Sequence, residues 1–335
     1  MSSLSQLLLQ WYANFGRELP WRVKGGPHPD PYVVLVSEFM LQQTTVKTVI
    51  PYFKRFMERF PTIDTLARAE QEEVYLYWQG LGYYSRARSL HQTARLIVEN
   101  YGGHFPRQRD EVLKLKGIGA YTASSLLALA FDQPETVIDG NVIRVICRLY
   151  HLTQPTAEIM PEIAAKAAAL TDHEHPADYA SAIMDLGALV CLPQNPQCLL
   201  CPWQSFCQSK SCPDLEQIPR RQKPLKKLRQ GKVYLIRNRA GEVFIRKRTE
   251  KGLLSELYEF PWSDERDIFS EKDVKETKAE VSHTFTHFKL LLQICLLWRE
   301  NVPLDGRFVA WESLSQYPFS TLMKKVCQKA SSLNS

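Results

Sequence analysis

Four cysteines, Cys191, Cys198, Cys201 and Cys207, stand in one short loop-rich segment with the spacing C-x6-C-x2-C-x5-C, and Pro193, Pro196 and Pro202 hold the backbone open around them. Four soft thiolates so close together read as a metal site, because buried packing cysteines need no such crowding and the segment is polar. Zinc more usually takes two C-x2-C pairs separated by a longer span. Only Cys198 and Cys201 form such a pair here, so a 4Fe-4S cluster is favoured. Cys147, Cys295 and Cys327 sit singly among apolar residues and read as packing; Cys212, close to the segment, is set aside as a fifth candidate.

Two carboxylates stand out beside the cysteines. Asp139 follows the apolar pair Val137-Ile138, and Gly140-Asn141 then lead into a helical pattern from Val142 to Tyr150. Its plain reading is a helix N-cap, yet a cap also keeps a carboxylate ionised through hydrogen bonds and the helix dipole, so a structural and a catalytic role coexist. Glu38 lies in the run Val33-Val34-Leu35-Val36-Ser37-Glu38-Phe39-Met40-Leu41. There a carboxylate is costly unless paired or protonated, and burial should raise its pKa. A glutamate in such a run more often faces solvent or forms a salt bridge. Together, one acid kept protonated and one kept ionised suit cleavage of a glycosidic bond.

The elements that must position these groups are helical from Leu4 to about Cys207, with apolar residues three or four apart, as in Val33 to Phe60 and Tyr121 to Phe131. No alternating strand is convincing there. Leu113-Lys114-Leu115-Lys116-Gly117-Ile118-Gly119 separates two helical segments, and its glycines let backbone N–H groups approach a phosphate at the start of the next helix. This is a helix-hairpin-helix near 113–121. Alone such a turn is mere chain reversal; it gains force from Asp139, further along the chain. The stretch 209–230 holds Pro213, Pro219, Pro224 and the basic residues Arg220, Arg221, Lys223, Lys226, Lys227 and Arg229, and reads as a linker that lies along phosphate. Val233 and Leu235, then Val243 and Ile245, alternate around Asn238-Arg239-Ala240-Gly241 as two strands joined by a short turn. Phe288 to Trp298 reads as another strand and Phe319 to Ala330 as a closing helix. The division expected is a helical domain at 1–208 with the cysteine loop at 191–207, a linker at 209–230 and an α+β module at 231–335.

Composition bounds this reading without deciding it. With 335 residues, 44% hydrophobic and 23% charged, the chain is long enough for two cores. A net charge of +6 and a pI near 8.8 permit a polyanionic partner but identify none. The N-terminal stretch lacks a basic lead followed by an apolar run, and no later stretch reaches the length of a membrane span. A cytoplasmic protein, monomeric and without membrane contact, is expected, and its cysteines are not expected to form disulfides.

Leu115-Lys116-Gly117-Ile118-Gly119 with Asp139 and the four-cysteine loop resembles the helix-hairpin-helix DNA glycosylase superfamily related to endonuclease III, over roughly residues 4 to 208. Within it, Ser37-Glu38-Phe39-Met40-Leu41-Gln42-Gln43-Thr44, Gly80-Leu81-Gly82-Tyr83-Tyr84-Ser85-Arg86-Ala87-Arg88 and Asp139-Gly140-Asn141-Val142 look like adenine glycosylases of the MutY type. The resemblance implies base-excision repair of duplex DNA carrying A·8-oxoguanine or A·G mispairs, with a 4Fe-4S cofactor on Cys191, Cys198, Cys201 and Cys207. It implies Glu38 as general acid, Asp139 as the stabiliser of an oxocarbenium-like sugar or as nucleophile, and Tyr121 and Asn141 as positioning groups. It places Arg22, Met184 and Asp185 in the adenine pocket, Gln43 and Tyr83 on the disturbed base stack, Thr44 among the groups that bind substrate, and Gly117 and Gly119 on the DNA backbone. Where endonuclease III-like relatives carry a Schiff-base lysine two residues after the second hairpin glycine, this chain has Tyr121, so strand cleavage by β-elimination is not expected.

The C-terminal module resembles the Nudix-like domain of the same family through Ser282-His283-Thr284-Phe285-Thr286-His287-Phe288. Leu253-Leu254-Ser255-Glu256-Leu257-Tyr258-Glu259-Phe260 does not supply the paired glutamates of a metal-binding Nudix helix, so 8-oxoguanine recognition by Phe285, Thr286 and His287 is implied rather than nucleotide hydrolysis. The family commonly has serine where this chain has Thr286. The alternatives are a related glycosylase for another lesion, which Tyr121 and the second domain count against, and a non-catalytic iron-sulphur DNA-binding protein, which the presence of both carboxylates counts against.

Overall fold

The computed structural model describes residues 3–24, 26–220, 227–250, 252–264, 267–270, 274–285 and 287–331. Two compact units emerge, Met1–Ala69 with Arg88–Gln222, and Glu70–Ala87 with Lys223–Ser335.

The helices in chain order are α1 (Leu4–Phe15), α2 (Pro31–Leu41), α3 (Val46–Arg59), α4 (Ile63–Arg68), α5 (Gln71–Trp78), α6 (Ser85–Tyr101), α7 (Arg109–Val112), α8 (Ala120–Phe131), α9 (Gly140–Leu149), α10 (Thr156–Ala168) and α11 (Pro176–Leu189). Local chemistry sets several of their ends. Ser3 and Gln6 form a capping box on α1, and Asp30 accepts the Tyr32 N–H where Pro31 opens α2. The single helical run anticipated from Val33 to Phe60 is two helices, because the chain turns at Gln42–Thr45 with Gln43 in the left-handed region at φ 56°. In the first unit α8 is the central element, buried from Thr122 to Ala130, and it packs on α2, α7 and α11, while α11 also packs on α1 and α9.

Among the described residues the second unit is built on a sheet of seven strands, β1 (Lys227–Arg237), β2 (Val243–Lys247), β3 (Tyr258–Glu259), β4 (Trp262–Ser263), β5 (Lys275–Thr284), β6 (Phe288–Trp298) and β7 (Arg307–Val309), ordered β3-β2-β1-β6-β5 with β4 on β1 and β7 on β2. Strands β1 and β6 run parallel in unbroken register from Lys227 opposite Phe288 to Arg237 opposite Trp298. From Val233 to Ile236 both faces of β1 are covered. Val233 and Leu235 join the larger core with Leu290, Leu292 and helix α12 (Thr321–Ser331), whereas Tyr234 and Ile236 join a second cluster with Phe244, Cys295 and Leu297.

The strand pair and the closing helix read from the pattern are present as β1, β2 and α12, and β6 has the anticipated limits. β5 carries no apolar run to reveal it, because charges fill its first half, with Glu276, Lys278 and Glu280 spaced two apart and exposed. The boundaries differ from those expected in two places. Segment 70–87 belongs to the second unit, held there by hydrogen bonds from Tyr84 Oη and Gln79 Nε2 to the Phe319 carbonyl (3.0 and 3.2 Å) and by a Lys247–Glu72 ion pair of 2.7 Å. The stretch read as linker is largely bound structure. Ile218 is buried, Arg148 grips the carbonyls of Leu215 and Ile218 at 3.0 Å, and Thr156 N–H donates to the Arg220 carbonyl, while β1 already starts at Lys227. Arg221, Lys223, Pro224 and Lys226 lie outside the described residues.

Gly117, in the hairpin, adopts φ 74°, and a Cβ there would stand 2.5 Å from Ser89 Cβ and 3.0 Å from Phe39 Cε1. Left-handed strain and overpacking together should cost about 2–4 kcal/mol in Gly117→Ala, a loss that thermal denaturation beside the wild type will register.

Candidate active site

One cavity of about 880 Å³ in the first unit gathers Glu38, Asp139, Tyr121, Asn141, Arg22, Met184, Gln43 and Thr44, with Arg17 and Trp21 also in its wall. These residues come from the segment between α1 and α2, from α2 and the turn after it, from the starts of α8 and α9 and from α11, so the helical packing brings into one wall groups far apart in the chain.

Glu38 is 4% exposed, because α2 is buried along nearly its whole length. Burial pushes its carboxyl from the ordinary 4.5 up to about 7; the Ser125 and Tyr121 hydroxyls and Arg22 pull it down, and Asp139 adds to the rise. Its Oε2 makes no hydrogen bond among the described residues. Asp139 is in different surroundings. It caps α9, its Oδ1 accepting the N–H groups of Asn141 and Val142 at 2.8 and 2.7 Å and its Oδ2 accepting Asn141 Nδ2–H at 2.8 Å. Every one of these bonds is donated to it, the pattern that suits a carboxylate. Burial lifts the Tyr121 phenol well above its usual range, with the two carboxylates adding to the rise, so it is a neutral donor; in the structure it points to Met184 Sδ at 3.7 Å.

Asp185 does not line the cavity itself. It is fully buried and holds two arginines of the wall: Arg17 through Nε (2.8 Å), Nη2 (2.5 Å) and its backbone N–H (2.7 Å), and Arg22 through Nη1 (2.7 Å). Burial alone would raise its pKa, but Arg22 and Arg17 outweigh burial and keep it below the usual carboxylate range. Arg17 carries no sequence signal beyond its place near Arg22.

The sequence reading also passed over Arg144 and Arg148, although two arginines four apart on the buried face of an apolar helix are a signal in themselves. Arg144 donates to Asn141 Oδ1 at 2.9 Å and to the carbonyls of Gly187 and Cys191 at 2.6 and 2.7 Å. Arg148, 1% exposed, donates to the carbonyls of Leu192 and Pro193 at 2.6 and 3.0 Å and reaches Cys191 Sγ at 3.5 Å. A hydrogen-bonded chain thus runs from Asp139 through Asn141 and Arg144 to Cys191. Cys191, Cys198, Cys201 and Cys207 line one small cavity of about 30 Å³, and burial raises the thiols of Cys191, Cys201 and Cys207. Among the described residues no three His, Cys, Asp or Glu side chains are gathered to hold a single metal ion. Cys147 and Cys295 are buried and Cys327 packs on the second core, while Cys212 turns its sulphur to the Gln208 carbonyl and His151.

Gly117 and Gly119 lie at the exposed hairpin, and Gly119 caps α8 with open space where a Cβ would stand. Gln43 is exposed in its left-handed turn. The remaining residues singled out belong to the second unit. Tyr83 is 45% exposed. Phe285 packs between His283 and Phe288, with ring centroids 4.6 and 4.8 Å away, in the turn between β5 and β6, and His287 is exposed. Thr286 lies outside the described residues.

Residues 36–169 match the family model of the HhH-GPD superfamily base excision DNA repair proteins, and residues 232–329 match that of the NUDIX domain. Fold and site therefore define a base-excision DNA glycosylase with a Nudix-like second domain. A thermostable thymine-DNA glycosylase shares the fold with a TM-score of 0.55 at 27% identity, over 62% of this chain and 94% of that one. Endonuclease III in a non-covalent DNA complex does so at 0.51 and 24%, over 62% and 92%. The adenine DNA glycosylase of Buchnera aphidicola subsp. Baizongia pistaciae is 36% identical over 88% of this chain and 85% of its own length, and that of Homo sapiens is 33% identical over 95% and 72%. The chain belongs to the adenine DNA glycosylase family. Among its described residues no helix is long and apolar enough to cross a membrane.

The raised pKa of Glu38 has a cost that depends on pH. Below its ordinary 4.5 the group is protonated in folded and unfolded chains alike; between 4.5 and about 7 only the folded chain keeps the proton, so stability falls as pH rises. At about 1.4 kcal/mol per pKa unit, the loss reaches about 3 kcal/mol above pH 7. Glu38→Gln should therefore melt higher than the wild type at about pH 8, with the gap closing at about pH 4. Melting curves at both pH values measure it, and an equal gap at both would contradict the burial argument.

Proposed function

We propose that the chain hydrolyses the N-glycosidic bond of adenine mispaired with 8-oxoguanine or guanine in duplex DNA, leaving an abasic site. The observation that carries this reading is the pair of carboxylates in one cavity, Glu38 buried with a pKa of about 7 and Asp139 held by three donated hydrogen bonds. Adenine inside the stack is out of reach, so it is flipped into the cavity. Glu38 gives its proton to N7. The C1′–N9 bond then breaks with its electron pair going to a base that leaves neutral, and the positive charge develops on the sugar beside Asp139. Water adds to C1′ and gives a proton to the Glu38 carboxylate, which restores the acid. Tyr121 and Asn141 orient the two carboxylates, while Arg22, Met184 and the Asp185-held arginines shape the pocket for the base.

The four cysteines suit a 4Fe-4S cluster, since their donor set is all thiolate and they line one cavity. A bound cluster would tie the ends of the 191–207 loop together and so fix the carbonyl of Cys191 that Arg144 holds. Gly117 and Gly119 offer their backbone to a phosphate, Gln43 and Tyr83 act on the base stack around the mispair, and Thr44 in the cavity wall helps to bind the substrate. Phe285, Thr286 and His287 of the domain at 231–335 read the 8-oxoguanine. Residues 252–256 form turns, with no helix to carry a Nudix metal site, which supports recognition over hydrolysis.

A single-turnover assay on an A·8-oxoguanine duplex, with alkali to reveal abasic sites, tests this. Wild type should give alkali-dependent cleavage whose rate falls as pH rises through about 7, where Glu38 loses its proton. Glu38→Gln should be slower by about a hundred- to ten-thousandfold, without that descending limb, and Asp139→Asn should be comparably impaired. An inactive, cluster-loaded wild type would leave a DNA-binding protein instead. Tyr121→Lys places an amine where lyases of the superfamily have theirs, and borohydride should then trap a covalent DNA complex. Adenine release with no trapped complex would mean that position 121 does not face the sugar.

A further inference from the structure

In the second unit the chain passes from α5 to α6 through a turn with three residues in the left-handed region, Gly80 (φ 114°), Gly82 (φ 73°) and Tyr83 (φ 47°). Glycine adopts this conformation freely, whereas tyrosine does so at a cost of about 1–2 kcal/mol that its contacts must offset. Its flanks are sunk: Leu81 is 6% and Tyr84 5% exposed, while Tyr83 itself is 45% exposed. The carbonyls of the turn point inward. Trp78 Nε1–H donates to the Gly82 carbonyl at 3.1 Å, and Arg86 Nη2 donates to the carbonyls of Leu81 and Gly82 at 3.3 and 3.2 Å. The Arg86 guanidinium also lies 5.4 Å from the ring centroids of both Trp78 and Tyr83.

We propose that Arg86 is a positioning residue for recognition of the mispaired duplex: by gripping the turn's carbonyls and lying against the ring of Tyr83, it presents that ring, already in its strained conformation, to the base stack. This rests on the proposed role of Tyr83 and adds the residue that makes the role possible. Arg86 is 7% exposed, so it is not itself a phosphate contact. Burial lowers its pKa to about 10, which still leaves it charged at neutral pH. A charged, planar group both donates to adjacent carbonyls and stacks on a ring; an ammonium on a flexible stem does not do both. A ring fixed before DNA arrives spares the ordering cost that a mobile tyrosine would impose on binding.

The test is a double-mutant cycle in the full-length chain, with wild type, Tyr83→Ala, Arg86→Lys and both together. The readouts are affinity for an A·8-oxoguanine duplex and the fluorescence of 2-aminopurine placed beside the mispair, which reports loss of stacking. Tyr83→Ala should weaken binding about tenfold and diminish the fluorescence change. Arg86→Lys should reproduce most of both effects, and the double variant should be no worse than Tyr83→Ala alone. Arg86→Gln, which keeps a planar donor, should recover part of the signal, and it stands in for Arg86→Lys in the cycle if that variant does not fold. Multiplicative losses, or a wild-type signal in the Arg86 variant beside a weakened Tyr83→Ala, would overturn the positioning role. A Tyr83→Ala variant indistinguishable from wild type would remove the role of Tyr83 and this inference with it.

Discussion

Asp139 ends an extended segment and begins α9, and the hydrogen bonds that stop the helix from fraying are the ones that fix its carboxylate in the cavity wall. The cap cannot shift without moving the helix. Nor is the helix free, because Arg144 and Arg148 project from its buried face into the carbonyls of the cysteine loop and of α11. Removing an arginine from such a place strands buried acceptors that have no water to turn to. The carboxylate's position is therefore set by a loop whose residues lie far along the chain and never enter the cavity.

Glu38 is the opposite case, a group defined by what is missing around it. Helix α2 buries nearly every side chain it carries, and the glutamate has hydroxyls and Arg22 near enough to influence it but, among the described residues, no salt bridge to neutralise it. Arg22 is already engaged by Asp185, which also takes Arg17. The pocket thus sorts its carboxylates by partner: Asp185 is paired with cations, Asp139 is held by amides, and Glu38 is left to hold a proton. That sorting is what an acid-assisted bond cleavage requires.

The second unit shows the same economy with backbone strain. Its β1 is buried on both faces from Val233 to Ile236, and two exposed features of the unit, Tyr83 and the turn between β5 and β6, are anchored by their neighbours: Tyr84 and Gln79 in one case, Phe285 packed between His283 and Phe288 in the other.

The sequence by itself marked most of the elements and the groups that could do chemistry. Caps, glycines and apolar spacing marked α8, α9 and the hairpin, a carboxylate in an apolar run announced a raised pKa, and cysteine spacing marked a thiolate site, because each of these signals is local in the chain. It missed β5, whose charges hide its period, and the break at Gln43, which no proline or glycine marks. Only the tertiary structure decided that residues 70–87 belong with the C-terminal unit, that the supposed linker is bound by Arg148, that Asp185 serves two arginines and that Arg144 joins Asn141 to Cys191. Those facts depend on which buried donor meets which buried acceptor across long stretches of chain, and no local period or composition encodes that choice.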